Sequence, residues 1–302
     1  MKTDLIPGYS GVIVTDEPLK NHTSYKIGGK AKYYTFPENV KDLISVLEYA
    51  ANSEIPFFII GGGSNLLFSD KGFPGVVIDL TRHFKKIEIS DEKIVTEAGA
   101  RLSNLVRACA DNSLSGFEEL TGVPGTVAGA VVMNAGAFGS EISRNLTEIS
   151  VLNHKLNLSS VKRDNLNFEY RKSSLPEGWI ILSCTFEAIT GIPSEEIKEK
   201  GRRFLDRRKS TQPLDCYSAG SVFKNPEHAP PAGKLIDMAG LKGLRVGGAE
   251  VSGKHGNFII NRGDATAQDV LKIIDIVREK VFRDFRVSLE LEIKLVGFDV
   301  GI

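Results

Sequence analysis

The spacing of apolar positions along the chain predicts a mixed α+β protein. Apolar side chains recur every three or four positions in several stretches, which is typical of helices with one buried face. These stretches predict helices over residues 38–53, 102–110, 194–209, 235–238 and 267–282. Short apolar runs bounded by turn residues predict strands over residues 31–36, 56–60, 76–80, 87–89, 94–97, 149–153 and 179–188, with another around Phe168. Helices mixed with paired strands indicate the α+β class.

The last predicted strand, residues 287–297, alternates apolar and charged positions. Its odd-numbered positions from Val287 to Leu295 are apolar, while its even-numbered positions from 290 to 294 are charged. Because successive side chains of a strand point to opposite faces, one carboxylate of this strand could point into a site. Alternation alone does not choose between Glu290 and Glu292.

The stretch from Gly116 to Gly139 departs from both patterns because small residues crowd it. It has glycine at positions 116, 122, 125, 129, 136 and 139, and alanine at positions 128, 130, 135 and 137. Backbone that carries no Cβ atoms can approach a ligand closely. We therefore expect this glycine stretch to cradle a large flat ligand, with Asn134 as its one amide side chain.

A second glycine segment follows the strand predicted at residues 56–60. The run Gly61 to Asn65 resembles the loop of a dinucleotide fold, but the GxGxxG fingerprint would need glycine at position 66, which is Leu66. The P-loop pattern GxxxxGK[ST] is absent from the sequence as well. What remains is a run of backbone N–H groups, with the side chains of Ser64 and Asn65, that could hold a phosphate or pyrophosphate.

Composition narrows the class of ligand and partner. The chain has 302 residues, enough for two or three packed units, and a turn at residues 190–194 favours a boundary there. Its 38 basic and 38 acidic residues cancel, so we expect no nucleic acid or membrane partner, and any anionic ligand must be held locally. Three cysteines without CxxC spacing predict reduced thiols, and no metal site is expected. The N-terminal residues MKTDLIPGYSG lack the apolar h-region of a secretory signal, so we expect a cytoplasmic protein. We also expect no obligate protein partner.

Two polar segments of the C-terminal half are further candidate binding sites. The helix predicted at residues 194–209 ends on Arg208 and Lys209, which adjoin a loop and could contact a phosphate. Its other charges are typical of a solvated helix face. The loop over residues 218–226, SAGSVFKNP, is polar and contains glycine.

Six motifs, taken together and in order, resemble one family. They are HTSYKIGG (22–29), GGGSNLLF (61–68), GVPGTVAGAVVMNAGAFG (122–139), EYRKS (169–173), AGSVFKNP (219–226) and LELEIKLVG (289–297). The chain resembles the UDP-N-acetylenolpyruvoylglucosamine reductases (the MurB family), flavoenzymes that complete UDP-N-acetylmuramate synthesis for bacterial peptidoglycan. The resemblance covers nearly the whole chain.

The resemblance implies an FAD-binding domain of the vanillyl-alcohol-oxidase (PCMH) type over residues 1–192, in two lobes near 1–80 and 81–192. A C-terminal α+β substrate-binding domain would cover residues 193–302. FAD would place its pyrophosphate on residues 61–65 and its isoalloxazine near residues 123–137. The implied cofactor-binding residues are Gly61, Gly62, Gly63, Ser64, Asn65, Leu66, Gly122, Val123, Pro124, Gly125, Thr126, Gly129, Asn134, Gly136 and Ala137.

The resemblance also implies three catalytic residues. Reduction of an enolpyruvyl ether needs a hydride at one carbon and a proton at its neighbour, and NADPH would first reduce the FAD whose N5 delivers the hydride. Arg171 would grip the substrate carboxylate, since a guanidinium binds it bidentately and stays charged. Ser221 would donate the proton, and Glu292 in its protonated form could hydrogen-bond the enolate-like intermediate.

Further positions follow from the same resemblance. Tyr170, Arg208, Lys224 and Asn225 are expected to contact the UDP-sugar substrate or NADPH. The interpretation of His255 stays open between a loop residue and a substrate neighbour.

Two features set this sequence apart within the family pattern. Ala128 stands where the pattern usually has glycine, so its methyl group would either crowd the flavin or replace a glycine that is not needed. Only residues 227–234 separate Pro226 from Leu235, so the chain resembles the subtype that lacks a tyrosine-bearing lid insertion.

Two other functional classes remain open from the sequence. A flavoprotein of the same FAD fold that oxidises a small alcohol or sugar would turn over with oxygen, but it would leave the matches at Ser221 and Glu292 without a role. A non-catalytic nucleotide-binding protein would keep the glycine cradle and lack the chemistry.

Overall fold

The computed structural model describes residues 6–298 and confirms the α+β class. Within those residues the helices are α1 (Val40–Asn52), α2 (Leu102–Asp111), α3 (Val127–Val132), α4 (Ser194–Thr211), α5 (Ala232–Met238) and α6 (Ala267–Phe285). The strands are β1 (Val12–Pro18), β2 (Lys30–Phe36), β3 (Phe57–Ile60), β4 (Leu66–Phe68), β5 (Phe73–Asp79), β6 (Ile87–Ser90), β7 (Lys93–Glu97), β8 (Gly136–Ala137), β9 (Ser140–Glu141), β10 (Leu146–Leu152), β11 (Leu158–Lys162), β12 (Phe168–Glu169), β13 (Lys172–Ser173), β14 (Ile180–Glu187), β15 (Arg245–Val246), β16 (Ala249–Val251), β17 (Ile259–Asn261) and β18 (Lys294–Val296).

The chain divides into two compact units that are discontinuous in sequence. Unit 1 contains residues 6–14, Tyr34–Gly62 and Val77–Arg207. Unit 2 contains Thr15–Tyr33, Gly63–Val76 and residues 208–298. One sheet has the strand order β1-β2-β5-β3, and each of its first three strands includes a position where the chain passes between units. The assignment of residues 1–192 and 193–302 to two functional domains stays a prediction.

Unit 1 is built on a five-stranded antiparallel sheet with the order β11-β10-β14-β7-β6. Strand β14 lies at its centre, where Cys184 faces Ile149 of β10 on one side and Thr96 of β7 on the other. Buried apolar side chains of the sheet pack with those of α2 and α3 in one core. The core also includes Phe117, whose ring meets Phe186 edge-on with 5.7 Å between ring centres.

Unit 2 combines a three-stranded antiparallel sheet, β15-β16-β17, with the parallel pair β18 and β4. Helices α5 and α6 supply much of its core, which also contains Tyr25, Leu67 and Ile293. The hydroxyl of Tyr25 is fully buried without a hydrogen-bond partner among the described residues. Among the helices of residues 6–298, none combines the length and apolarity that a membrane crossing requires.

Helix α6 begins with a capping box formed by Thr266 and Asp269. The Asp269 amide donates to Thr266 Oγ1 at 3.1 Å, and the Thr266 amide donates to Asp269 Oδ2 at 2.9 Å. Asp70 accepts from the next two free amides, those of Ala267 at 2.9 Å and Gln268 at 3.2 Å. Each bond satisfies an N–H group that has no partner inside the helix.

The predicted last strand is wrong in its length, because only Lys294–Val296 of residues 287–297 belongs to a strand ladder. Upstream, the Lys224 amide donates to Glu290 O at 2.9 Å and the Glu292 amide donates to Val222 O at 2.8 Å. The segment therefore changes its pairing partner, first residues 222–224 and then β4, and no single ladder runs through it. The apolar positions 287, 289, 291, 293 and 295 are buried or half-buried and positions 288, 290 and 294 are exposed, but Glu292 departs from this alternation because it is half-buried.

Several elements were not predicted at all. Helix α3 lies inside the glycine stretch, where the high glycine content argued against a helix. Strands β1, β11 and β15–β17 are short or polar, so their sequences carry little of the alternation on which strand prediction depends.

We expect Thr266→Ala to lower the free energy of unfolding by about 1 kcal/mol, because it removes the side-chain acceptor of the Asp269 amide. Thr266→Ser keeps that acceptor and should retain most of the stability. Urea denaturation followed by circular dichroism measures both variants. Equal losses in the two would mean that the threonine methyl group, and not the cap, contributes the stability.

Candidate active site

Two predicted cofactor segments meet backbone to backbone in unit 1. A Cβ atom added at Gly62 would lie 2.6 Å from Gly125 Cα, and one added at Gly61 would lie 2.4 Å from Thr126 Oγ1. Both distances are too short for real side chains, so only glycine permits the approach at these positions. Gly122 and Gly125 have φ angles of 79° and 117°, a region that also favours glycine.

The backbone just before α2 holds this part of the glycine stretch. The Leu102 amide donates to Gly125 O at 3.1 Å, and the Val127 amide donates to Ala100 O at 2.9 Å. Between these bonds stands Arg101, and its Nη1 lies 3.1 Å from where a Cβ of Gly62 would be. A guanidinium beside this loop can bind a phosphate. Sequence reasoning missed Arg101, which lies in no glycine segment and carries no motif.

Helix α3 starts within the predicted cofactor residues. Its first turn is capped by Thr126, whose Oγ1 accepts from the Gly129 amide at 3.3 Å. Ala128, the departure from the family pattern, donates its amide to Ala98 O at 3.2 Å and packs against the apolar core of unit 1.

Asn134 is fully buried and leaves one polar atom without a partner. Its Nδ2 donates to Glu141 Oε2 at 2.7 Å and to Glu169 O at 3.0 Å. Its Oδ1 accepts nothing from the described residues. A buried acceptor left unpaired costs about 1–3 kcal/mol, so a ligand N–H at this position would be stabilised.

Arg171 lies at the tip of a hairpin that docks on the glycine stretch. Strands β12 and β13 pair antiparallel, and Arg171 takes the left-handed φ of 58° in the turn between them. Its Nη2 donates to Gly136 O at 2.9 Å, and its guanidinium lies over the Tyr170 ring, 4.8 Å from the ring centre. Ser173 Oγ adds a bond to Val132 O at 2.9 Å. The structure thus brings Tyr170 and Arg171 to the predicted flavin segment.

The remaining part of the first glycine loop, residues 63–66, belongs to unit 2. Gly63 lies so close to His22 that an added Cβ would stand 2.0 Å from His22 O. Ser64 is half-buried, and Leu66 begins β4. The side chain of Asn65 donates to Glu292 O at 3.0 Å, and the Lys294 amide donates to Asn65 O at 2.9 Å. A predicted cofactor loop and a predicted catalytic residue are therefore hydrogen-bonded neighbours.

Ser221 and Glu292 lie on adjacent backbone segments of unit 2. The Glu292 amide donates to the carbonyl of Val222, the residue after Ser221, and Phe223 forms a bridge with Leu291. Both predicted catalytic side chains are half-buried. The alternative acid, Glu290, forms an ion pair with Lys224 at 3.3 Å and its side chain is 77% exposed. The surroundings of Glu292 therefore suit a site better than those of Glu290.

The other predicted contacts are placed as follows. Lys224 is engaged with Glu290. Asn225 Oδ1 accepts from the Ala232 amide at 3.1 Å at the start of α5. Arg208 is half-buried in the last turn of α4.

His255 lies in the loop between β16 and β17 and makes local contacts. Its Nδ1 accepts from the Asn257 amide at 3.2 Å, and its ring meets Phe258 edge-on at 4.9 Å. Burial, and then the charge of Lys242, lower the pKa of His255, which favours the neutral ring, and a neutral ring that accepts at Nδ1 carries its proton on Nε2.

Glu118 holds the start of the glycine stretch. This buried carboxylate accepts from Ser115 Oγ at 2.6 Å and from the Gly116 amide at 2.7 Å. Burial alone would raise the pKa of Glu118, but these hydrogen bonds hold that pKa below its ordinary value. The sequence showed the charge within the stretch but not its partners.

Comparisons with known proteins match both parts of the chain. A family model described as "FAD binding domain" matches residues 31–155, and one described as "UDP-N-acetylenolpyruvoylglucosamine reductase, C-terminal domain" matches residues 212–296. The UDP-N-acetylenolpyruvoylglucosamine reductase of Caldanaerobacter subterraneus subsp. tengcongensis is 45% identical over 288 residues, covering 95% of this chain and 94% of that protein. The enzyme of the same name from Alkaliphilus oremlandii is 42% identical over 296 residues, covering 98% and 96%. The crystal structure of the reductase from Thermus caldophilus superimposes with a TM-score of 0.80 at 37% identity, covering 95% and 98%.

We expect Gly62→Ala to reduce the flavin content of the purified protein, because its methyl group would collide with Gly125 and separate the two glycine segments. Gly253→Ala is the matched control, since a Cβ there meets nothing within 4 Å and φ is not positive. The ratio of flavin to protein absorbance measures the effect. Normal flavin content in Gly62→Ala would show that the close approach is not needed for binding.

We expect His255→Asn to weaken the pH dependence of stability. Because the pKa of His255 is lowered on folding, the unfolded chain takes up this proton first as pH falls below about 6.5, and wild-type stability drops until the folded pKa is reached. Asparagine keeps an acceptor for the Asn257 amide and does not titrate. Urea denaturation on both sides of that pH measures the difference, with the exposed His154→Asn as control. If the free energy of unfolding of His255→Asn changed with pH as steeply as that of the wild type, the lowered pKa assigned to His255 would be contradicted.

Proposed function

Because this chain belongs to the UDP-N-acetylenolpyruvoylglucosamine reductase family, we propose that it reduces the enolpyruvyl ether of UDP-N-acetylglucosamine to UDP-N-acetylmuramate. It is an oxidoreductase with FAD as its bound cofactor and NADPH as co-substrate. The reaction belongs to peptidoglycan synthesis. The observation that carries the proposal from the structure is the 2.8 Å bond between the Glu292 amide and Val222 O, which sets Glu292 beside the Ser221 loop.

The residues of the two glycine segments fit FAD. Gly61 and Gly62 pack against Gly125 and Thr126, the backbone of Gly122 and Gly129 is exposed, and Arg101 adds a positive charge beside Gly62. The unpaired Oδ1 of Asn134 suits a ring N–H. We assign the pyrophosphate to residues 61–65 and the ring system to residues 122–137, and FAD reduced by NADPH supplies the hydride there.

Arg171 would bind the substrate carboxylate. Its bond to Gly136 O fixes the guanidinium against the glycine stretch, so a carboxylate held by it would lie beside the predicted ring segment. Stacking on Tyr170 limits the rotation of the side chain and lowers the entropy lost on binding. The charge also withdraws electron density from the double bond that is reduced.

Ser221 and Glu292 would complete the reaction on the substrate. A hydroxyl is a weak acid, so Ser221 can donate its proton only to a strongly basic carbon at close range. Glu292, half-buried on the adjacent segment, would hydrogen-bond the developing enolate in its protonated form. We assign Tyr170, Arg208, Lys224 and Asn225 to binding of the UDP-sugar or NADPH.

The remaining assignments follow from these ligands. We propose that the protein works in the cytoplasm, where NADPH and nucleotide sugars are made. The FAD-binding role falls to residues 1–192 and the substrate-binding role to residues 193–302.

We expect Ser221→Ala to retain FAD and to be reduced by NADPH at the wild-type rate. Its reduced form should transfer the hydride to substrate about 10²- to 10⁴-fold more slowly, because the proton donor is missing. Anaerobic stopped-flow absorbance of the flavin measures each half-reaction. Ser218→Ala, in the same loop, is the control and should behave as wild type.

Two outcomes of these measurements would contradict the proposal. Wild-type protein that oxidises NADPH without any dependence on UDP-N-acetylenolpyruvoylglucosamine would not be this reductase. Turnover that depends on oxygen and an alcohol or sugar would identify an oxidase of the same FAD fold.

A further inference from the structure

The loop between β16 and β17 contains a buried amide, Asn257, that binds the backbone next to Ser221. The side chain is 3% exposed. Its Oδ1 accepts from the Phe223 amide at 2.9 Å and its Nδ2 donates to Phe223 O at 2.7 Å. Its own carbonyl accepts from the Val222 amide at 2.9 Å. Three hydrogen bonds thus hold the two residues that follow Ser221.

On one side of the segment 222–224, these bonds take the place of the hydrogen bonds that a neighbouring strand would make. On the other side, residues 290–292 pair with it through the Glu292 amide and Glu290 O. A side-chain amide offers the same donor and acceptor as a peptide group, so Asn257 can satisfy both polar groups of Phe223. An unsatisfied buried N–H or C=O is costly, which explains why a primary amide stands there.

On its N-terminal side, the chain is anchored at Tyr217 and Ser218, whose carbonyls accept from the Asn261 amide at 2.9 Å and from Ser24 Oγ at 2.7 Å, but Gly220, next to Ser221, is less constrained. Gly220 has a φ of 78°, and a Cβ added to it would meet nothing within 4 Å. The Gly220 amide reaches only Ser218 Oγ, at 3.5 Å. The anchor nearest to Ser221 is therefore the one at Val222 and Phe223, in the segment that pairs with residues 290–292.

We propose that Asn257 is the positioning residue for proton transfer from Ser221. It acts through the backbone of Val222 and Phe223 and is not assigned to contact substrate or cofactor. The inference rests on the proposed function, because it assumes that Ser221 donates the proton. It assigns a role to a residue of the KHGNFI segment, residues 254–259, that no motif of the sequence singled out.

Asn257→Ala tests the proposal with the two half-reactions measured separately. Flavin content and reduction by NADPH should stay within about twofold of wild type, while reoxidation by UDP-N-acetylenolpyruvoylglucosamine should slow by about 100-fold, the typical cost of misplacing a reacting group by about 1 Å. A purely structural defect would affect both half-reactions and flavin content together.

Asn261→Ala is the matched control. Asn261 is also a buried amide of unit 2, and its side chain makes three hydrogen bonds, to Tyr25 O, the Gly263 amide and the Ala265 amide. None of them involves residues 221–223. This variant should lose stability like Asn257→Ala and keep the wild-type rate of reoxidation.

The double variant Ser221→Ala/Asn257→Ala identifies the route of the effect. If Asn257 acts through Ser221, its substitution should slow reoxidation no further once the hydroxyl is gone. Multiplied losses in the double variant would overturn the proposal. If Asn257→Ala does not retain flavin, the same comparison uses Asn257→Asp, which keeps the acceptor for the Phe223 amide and loses the donor to Phe223 O.

The outcomes separate the two levels of inference. Wild-type protein without substrate-dependent turnover would overturn the proposed function and this inference with it. Suppose instead that Ser221→Ala slows turnover, while Asn257→Ala and Asn261→Ala are reoxidised at equal rates. That result would overturn this inference alone.

Discussion

The close approach of Gly61 and Gly62 to Gly125 and Thr126 is the constraint on which the rest of unit 1 depends. Two chain segments meet there with less than a side chain's width between them. Such a contact requires glycine, which has no Cβ atom. Because glycine loses more conformational entropy on folding than other residues, other groups must stabilise the contact. The backbone of residues 98–102 supplies it through amide and carbonyl bonds to residues 125–128. The ligand binding by main chain that we propose therefore rests on pairing of main chain behind it.

The predicted catalytic side chains of Arg171 and Ser221 are likewise positioned by hydrogen-bonded backbone. Arg171 lies on a hairpin whose side chains bind carbonyls of the glycine stretch, and Ser221 precedes a segment that is hydrogen-bonded on both sides. In both cases the reactive group stands next to a fixed backbone and not at the end of a long unsupported loop. Rigid placement of this kind is what positioning a carboxylate or a proton donor requires.

Much of the fold could be predicted because its signals are local. The spacing of apolar positions located α1, α2, α4 and α6. The last strand was predicted too long because its pairing changes from residues 222–224 to β4, a choice made by distant partners. The motifs pointed to Arg171, Ser221 and Glu292, but not to Asn257, whose hydrogen-bonding partner lies 34 residues away. Arg101 shows the same limit, since its neighbour Gly62 is far away in sequence. Asn65 was predicted as a cofactor residue, but its bond to Glu292 O was not.

The bond from Asn65 to Glu292 O joins residues that are 227 positions apart. A ribosome adding 5–20 residues per second needs roughly 10–45 s to make that span. During this time the first glycine loop exists without the strand that pairs with β4 and without the acceptor of its amide. Newly made chains must therefore finish this part of unit 2 after β18 has left the exit tunnel. With the FAD pyrophosphate assigned to this loop, cofactor capture by a nascent chain would be incomplete until then.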